Sequence, residues 1–166
     1  MCKPISKLIG TMMQYYGDIR LSQHAIKAYA YAQGIGIGEG LSDKDMLILS
    51  AAAILHDIGI PQAIKLHGSA KGEHQEREGA LLVPEMLEYA GLCATDVIER
   101  VTWLVGHHHT ASLSDSDILL QILMEADYLV NLAEGNRPIE MAQEIRDTFF
   151  KTDTGKEYIS ALFAIK

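Results

Sequence analysis

The nearly apolar run Met46-Leu-Ile-Leu-Ser-Ala-Ala-Ala-Ile-Leu55 is followed at once by His56-Asp57 and then by Ile58-Gly59. Such a run predicts a helix of the protein core, since a membrane span needs ~20 apolar residues. The residues three, four and seven places before the histidine are apolar and share its helical face: Ala53, Ala52 and Leu49. A lone histidine on such a face is usually a core residue with its ring satisfied. An adjacent pair that turns inward at a helix end favours a functional site.

Apolar residues recur with helical spacing on both sides of this run, and the sequence has no alternating strand pattern and no Asn-Gly hairpin signal. Helices are predicted over residues 4–16, 19–33, 44–56, 75–89, 95–105, 117–133, 138–150 and 154–165. The glycines between 34 and 40 are predicted to end the second helix, and Gly59 with Pro61 the third. Loops are predicted at 66–73 and 107–116. The sequence therefore predicts an all-α fold.

Length and charge limit the classes of function. A chain of 166 residues predicts one domain with a full core. Lys and Arg number 14 against 22 Asp and Glu, and the net charge of −8 disfavours a nucleic-acid partner, which would need a basic surface. The isolated Cys2 and Cys93 are expected to be free thiols. No apolar segment follows residues 1–7, so we expect a cytoplasmic protein with no signal peptide and no membrane partner.

Two further polar residues lie on apolar helical faces. Asp127 has apolar neighbours at helical spacing, namely Leu120, Leu123, Met124 and Val130. His24 has similar neighbours in Leu21, Ala28 and Tyr31. A buried ionised carboxylate is costly unless it is paired or binds a metal, so Asp127 either caps or pairs within the core or serves as a ligand. With His56 and Asp57, these residues supply two imidazoles and two carboxylates from three helices, a set that suits a six-coordinate divalent metal.

A histidine run, His107-His108-His109, directly follows a strongly apolar stretch and Gly106. Such a run can be a solvated segment of no special function. Its internal position after apolar residues favours a functional role for at least one of the three histidines.

The order of these residues resembles the HD superfamily of metal-dependent phosphohydrolases. The family pattern is a histidine, a His-Asp doublet after an apolar helix, and an aspartate on a late helix. Here these are His24, the doublet in Ala53-Ile-Leu-His-Asp-Ile-Gly59, and Asp127 in Glu125-Ala-Asp-Tyr-Leu-Val-Asn131. The resemblance spans about residues 20–135. It implies a single-domain helical bundle over residues 1–166, in which the helices at 138–165 lie outside the core that bears the motif.

The resemblance also implies which residues bind the metal: His24, His56, Asp57 and Asp127. A His-His step that often lies between the doublet and the final aspartate is similar to His108-His109, with His107 as an alternative partner. The implied cofactor is a divalent transition metal, Mn, Fe, Co or Ni, with Mg as a further option.

One departure from the family concerns the number of ions. Members with two metals often carry a histidine four residues before a Gly-Ala step, and this chain has Gln75 before Gly79-Ala80. A glutamine is a poor ligand for a transition metal, so we expect one ion per chain. His74, one position away, or Glu78 could still serve a second ion.

The family's reaction implies hydrolysis of a phosphoester of a nucleotide or a related small phosphorylated metabolite by a metal-activated water. We expect Asp57 to bind the metal and to accept a hydrogen bond from that water. We expect His108 to contact the leaving group or to complete the metal shell, and Glu78, or Glu76, to act as the general acid. Because the chain is acidic, local groups are expected to bind the substrate: Arg20, Lys27, Lys65, Arg77 and His109.

Three other functions stay open at this point. An iron-dependent HD-type oxygenase would need two irons, against which Gln75 argues. A non-catalytic module that binds a metal or a nucleotide is the second, although the intact ligand set favours turnover. A cyclic-dinucleotide phosphodiesterase would carry an added signature that the sequence lacks. The expected partner is a phosphorylated small molecule, and a homodimer stays open.

Overall fold

The computed structural model describes residues 3–135 and 137–165, and all regular elements in these ranges are helices. In chain order they are α1 (Lys3–Tyr16), α2 (Ile19–Gly38), α3 (Asp43–Leu55), α4 (Ile60–His67), α5 (Gly72–Ala90), α6 (Thr95–Val105), α7 (Ala111–Ser114), α8 (Ile118–Glu134), α9 (Ile139–Thr148) and α10 (Asp153–Leu162). The predicted all-α, single-domain class is thereby confirmed. The predicted loop at 107–116 differs in that it contains the short α7.

Helix α3 lies at the centre of the bundle, where it contacts α1, α2, α5, α6 and α8. Every residue from Ile48 to Leu55 is buried, in agreement with the nearly apolar sequence of this helix. Full burial of one leucine or isoleucine side chain contributes about 1.5–3 kcal/mol, so α3 is held firmly by its neighbours. It therefore brings the residue that follows it, His56, into the interior with no exposed surface.

Helices α2 and α8 pack against each other and against α3. Asp18 caps α2, because its carboxylate accepts hydrogen bonds from the backbone N–H of Arg20 at 2.7 Å and of Leu21 at 3.4 Å. Asp117 caps α8 in the same way, with 3.1 Å to the N–H of Leu120. These caps fix where the two helices begin.

Helix α2 extends to Gly38, whereas the sequence predicts that the glycines from position 34 onward end it. Gly34 and Gly38 face Tyr158 and Thr154 of α10, and a Cβ at either glycine would overlap those side chains. The prediction is wrong here because these glycines make room for a neighbouring helix and do not break their own.

A further helix, α4, follows Gly59, where the sequence predicts only the end of α3. Pro61 lies in the first turn of α4, a position that tolerates its missing N–H and its fixed φ. Gly68, whose φ of 65° is left-handed, caps the end of this helix. Gly59 lies against the backbone of α5, because a Cβ there would overlap Gln75 and Gly79. The turn that holds the His-Asp pair is thus seated directly on α5.

Two smaller predictions concern thiols and membranes. Cys93 is exposed and free, as predicted, and Cys2 lies outside the described residues. None of the described helices is by itself long and apolar enough to cross a membrane, and only α3 and α4 together, bent by 41°, meet those two criteria.

Candidate metal centre

Three helices bring four polar side chains to one point in the core. His24 lies on α2, His56 and Asp57 follow the end of α3, and Asp127 lies on α8. His24 Nε2 is 3.0 Å from Asp127 Oδ1 and 3.3 Å from His56 Nε2. His56 Nε2 is 3.4 Å from an oxygen of each aspartate, and His24 Nε2 is 3.6 Å from Asp57 Oδ2. The structure therefore brings together all four residues that the sequence predicts as metal ligands.

The other ring nitrogen of each histidine is already engaged. His56 Nδ1 is 2.8 Å from the carbonyl oxygen of Ala53, and His24 Nδ1 is 3.1 Å from Glu134 Oε2. A carbonyl or carboxylate oxygen only accepts hydrogen bonds, so each Nδ1 carries the proton and donates it. In the neutral rings, the Nε2 lone pairs consequently face each other and the two aspartates.

This arrangement sets acceptor atoms against acceptor atoms in a space with little access to water. His56 has no exposed surface and His24 is 7% exposed. Such a set repels itself unless positive charge lies among its members. Two imidazole nitrogens and two carboxylates are ligands that a divalent transition metal accepts. The residues present therefore fit the cofactor that the sequence predicts.

Within the metal-free cluster, the histidines and aspartates shift each other's pKa values. Burial opposes the charged form of His56, but the negative charges of Asp57 and Asp127 outweigh it and raise the pKa of His56 well above its usual range. Burial opposes ionisation of Asp57, yet His56 and His108 hold the pKa of Asp57 well below its usual range. Burial also opposes ionisation of Asp127, whereas His24 and His56 lower its pKa. The cluster thus attracts a cation, whether a proton or a metal.

A second group of donor atoms shares Asp57. His108 Nε2 is 3.5 Å from Asp57 Oδ1, and His108 Nδ1 donates to the carbonyl of Val105 at 2.8 Å. Asp57, His108 and His109 together form a further set that could hold an ion. The Gln75 amide lies among them, with its Nε2 3.1 Å from Asp57 Oδ1 and in contact with both histidine rings. Because this amide N–H donates where a ligand would offer a lone pair, the geometry agrees with one ion per chain, which stays a prediction.

The first member of the histidine run lies apart from the cluster. His107 stacks on Trp103 with ring centroids 4.7 Å apart and planes 21° apart, and its Nδ1 is 2.7 Å from the Trp103 carbonyl oxygen. His108 and His109 are the members that face Asp57. The structure thus places the predicted His-His step beside the doublet and leaves the alternative partner, His107, outside.

The predicted general acids contact other residues. Glu78 Oε1 is 2.9 Å from His67 Nε2 and 3.2 Å from Arg77 Nε. The hydrogen bond from His67 outweighs the opposing effect of burial and, with Arg77, lowers the pKa of Glu78. A carboxyl group that stays ionised is a poor general acid, so the structure argues against that role for Glu78. Glu76 accepts the backbone N–H of His109 at 2.7 Å and so has a positioning contact at the edge of the cluster.

Most of the predicted substrate-binding cations lie away from the cluster or are engaged by acids. The Arg20 side chain is 89% exposed and pairs with Asp18 at 3.3 Å. Lys27 Nζ is 2.9 Å from Glu134 Oε1. Arg77 contacts the Glu78 and His67 side chains described above, and Lys65 is exposed on α4. His109 is the predicted substrate residue that the structure brings beside Asp57.

Three residues of the site were missed by the sequence predictions. Asn131 donates to Asp127 Oδ1 at 2.8 Å, and Glu134 accepts from His24. Their signal was their spacing, four and seven residues after Asp127 on the same helical face. Tyr16, at the end of α1, is 8% exposed, and its hydroxyl has no hydrogen-bond partner among the described residues. Burial and then the charge of Asp57 raise the pKa of Tyr16 well above 10. The hydroxyl therefore stays protonated at neutral pH.

Comparison with known protein families gave a match over most of the chain. The family model described as HD domain matches residues 21–132, a region that contains His24, the His56-Asp57 doublet and Asp127. Comparisons with curated proteins and with solved structures gave no match to this chain.

Proposed function

The chain belongs to the HD domain family, and we propose that it is a metal-dependent phosphohydrolase that cleaves a phosphoester of a nucleotide or a related small phosphorylated metabolite. Proteins of this family are typically metal-dependent phosphohydrolases. Membership therefore supports the class of reaction. The substrate class follows from the family's usual substrates and is a proposal for this chain.

One observation carries the proposal: acceptor atoms of two histidines and two aspartates converge in the core, with separations of 3.0–3.6 Å from nitrogen to nitrogen or oxygen. The Nδ1–H groups of both rings donate elsewhere, so the Nε2 atoms face the carboxylates as lone pairs until a proton or a metal ion joins them. A divalent ion bound there would polarise a phosphoryl oxygen and lower the pKa of a bound water from ~15.7 to ~7.

Asp57 is suited to act on the attacking water. Its Oδ2 faces His24 and His56, while its Oδ1 faces His108 and Gln75. Because its pKa is held low, Asp57 stays ionised at neutral pH and can accept a hydrogen bond from the water. That hydrogen bond would orient a lone pair of the water toward the phosphorus, which is the positioning role of a general base.

His108 and His109 are suited to the leaving-group side, because His108 faces the Asp57 oxygen that does not face His24, and His109 belongs to the same donor group. Burial and then the charge of His108 lower the pKa of His109, so that its ring is neutral and can donate one N–H to a substrate oxygen. Acids engage the side chains of Arg20 and Lys27. We therefore expect the metal and the histidines to compensate the negative charge of a bound phosphate.

The test is metal analysis of the purified protein, followed by an assay of nucleotides and sugar phosphates with Mn, Fe, Co, Ni and Mg. We expect about one ion per chain and metal-dependent release of phosphate. The rate should fall about 100-fold or more in Asp57→Asn. The control Glu140→Gln, which alters an exposed acid on α9, should leave metal content and rate unchanged. Bound metal without hydrolysis of any ester would contradict the proposal and favour the non-catalytic binding module.

An iron-dependent oxygenase is the second candidate, and the shared donor group of Asp57, His108 and His109 is the observation that favours it. The Gln75 amide within that group counts against a second iron. Two irons per chain and oxygen consumption by the iron-loaded protein would favour the oxygenase. One ion per chain with no oxygen consumption would exclude it.

A further inference from the structure

A chain of three side chains leads from the metal centre to the protein surface. His24 Nδ1 is 3.1 Å from Glu134 Oε2, and the other oxygen, Oε1, is 2.9 Å from Lys27 Nζ. His24 is nearly buried, whereas the side chains of Glu134 and Lys27 are 38% and 50% exposed. These contacts join two helices at residues more than 100 positions apart in sequence.

We propose that Glu134 is a positioning residue that fixes the ring orientation and the tautomer of His24 for metal binding, and that Lys27 holds Glu134 in place and does not bind the substrate. The inference rests on the proposed metal site and adds residues to it. A carboxylate that accepts the Nδ1–H of a ligating histidine directs the Nε2 lone pair toward the metal and makes it a stronger donor.

The position of His24 within its helix explains why it needs such a partner. His56 and His108 follow helix ends, where free backbone carbonyls of Ala53 and Val105 accept their Nδ1–H groups. His24 is the sixth residue of α2, which begins at Ile19. At such an interior position the backbone carbonyls already accept hydrogen bonds from backbone N–H groups of the same helix. In place of a backbone carbonyl, its Nδ1 has the side chain of Glu134 on α8 as its partner.

A second pair between the two helices lies about one turn further along α2 and two turns further along α8. His24 contacts Asp127, and Lys27, three residues later, contacts Glu134, which lies seven residues after Asp127. The side chains of the inner pair are only 9% and 14% exposed, while those of the outer pair are 50% and 38% exposed and lie at the surface. Glu134 thus bridges the inner and the outer pairs, since one of its oxygens serves His24 and the other serves Lys27.

The experiment compares affinity for Mn²⁺ and Co²⁺, measured by competition with a chelator, in four variants and the wild type. Glu134→Ala should weaken binding about 10- to 100-fold. Glu134→Gln, which keeps an oxygen acceptor, should lose less, and Lys27→Met less again. Glu140→Gln, a matched change of an exposed acid, should bind as the wild type does. The melting temperature of the chelated Glu134→Ala protein should stay close to that of the chelated wild type.

Wild-type affinity in Glu134→Ala would overturn the inference, and so would a lower melting temperature of its metal-free form with unchanged affinity. If Lys27→Met raised KM for a phosphate ester and left metal affinity unchanged, Lys27 would be a substrate ligand, and that half of the inference would fail. Failure of the proposed function is distinct, because the wild type would then bind metal without hydrolysing any ester, or would bind no transition metal, whereas this inference concerns only the difference in affinity between wild type and variants.

Discussion

Helix α8 carries two carboxylates two residues apart, the buried Glu125 and the largely enclosed Asp127, and their surroundings are opposite in kind. Glu125 has no exposed surface and accepts hydrogen bonds from the side chain of Gln121 at 2.7 Å and from the backbone N–H groups of Lys151 at 2.7 Å and Thr152 at 3.1 Å. The Thr152 hydroxyl donates to its other oxygen. Asp127 has one amide donor, Asn131, and otherwise faces imidazole nitrogens and another carboxylate.

The difference separates a structural carboxylate from a ligand. Glu125 is saturated with donors from the segment that precedes α10, so its charge is used to fasten that segment to α8. The charge of Asp127 is offset only if a cation joins the cluster, because its imidazole neighbours donate their N–H groups to other acceptors. The number of hydrogen-bond donors around each carboxylate distinguishes the two residues.

Replacement of Glu125 should have the largest effect on stability. In Glu125→Ala several donors lose a buried acceptor, and we expect the free energy of unfolding to fall by about 3–5 kcal/mol. The loss should be equal with and without a chelator, since no metal is involved. Denaturant unfolding under both conditions measures it. A loss that appeared only in the metal-loaded protein would show that the comparison with Asp127 is false.

Replacement of Asp127 should act through the metal. At a metal concentration of 100 times Kd, the wild type gains about 2.7 kcal/mol from binding, and Asp127→Asn should lose most of this gain together with its metal content. In chelator, and at a pH where the histidines are neutral, the variant should be at least as stable as the wild type, because repulsion with Asp57 is relieved. Melting curves with and without chelator, alongside metal analysis, provide the measurement. Retained metal and turnover would remove Asp127 from the site.

The stability of the metal-free protein should depend on pH through the histidines and aspartates of the same cluster, with a smaller effect than either replacement. Burial lowers but the aspartates raise the pKa of His24 and of His56, so that both lie above the ordinary 6.5 in the folded state. A group with a raised pKa contributes its full stability below 6.5 and loses it as the pH rises through the folded-state value. The melting temperature in chelator should therefore fall as the pH rises above about 6.5.

Two controls sharpen this measurement. Saturating metal should suppress the fall, because the metal replaces the protons among the ligands, and Asp127→Asn should reduce it. At the acid end the sign is opposite, since the lowered pKa values of Asp57 and Asp127 give stability that is present above about 3.8 and lost as the pH falls below it. A metal-free melting temperature that rose between pH 6.5 and 9 would contradict the assignment.

The smallest expected effect concerns Tyr16, a buried polar group that has neither the donors of Glu125 nor the ligands of Asp127. Because its hydroxyl has no partner among the described residues, Tyr16→Phe should be neutral or stabilising by about 1 kcal/mol. Denaturant unfolding in chelator gives this value. A loss of stability would reveal a hydrogen bond to a bound water, while an unchanged stability with a slower reaction would place the hydroxyl at the substrate.

The sequence was sufficient for the features that depend on neighbours along the chain. The apolar run before His56 predicts a buried helix, and the helical spacing around His24 and Asp127 predicts that both side chains point inward. These predictions succeed because the periodicity of a helix decides which residues share a face. The all-α fold follows from the same pattern.

Features that depend on distant neighbours could not be predicted in this way. The glycines of α2 make room for side chains of α10. Glu134 contacts His24, which lies more than 100 residues away in sequence. The predicted end of the sixth helix at residue 133 also left Glu134 just outside it. Helix α4 was missed because Gly59 and Pro61 are stop signals for one helix and equally suitable residues before the next.

The contact of Gly59 with α5 limits how this site can be redesigned. The turn that carries His56-Asp57 and the helix that carries Gln75 meet backbone to backbone at Gly59. No side chain lies between them at this point, so a substitution cannot adjust their separation. A library of substitutions should find Gly59 far less tolerant than the exposed positions of α4. Efforts to reshape the site would therefore do better to vary Tyr16 at the end of α1, whose buried hydroxyl is affected by the charge of Asp57.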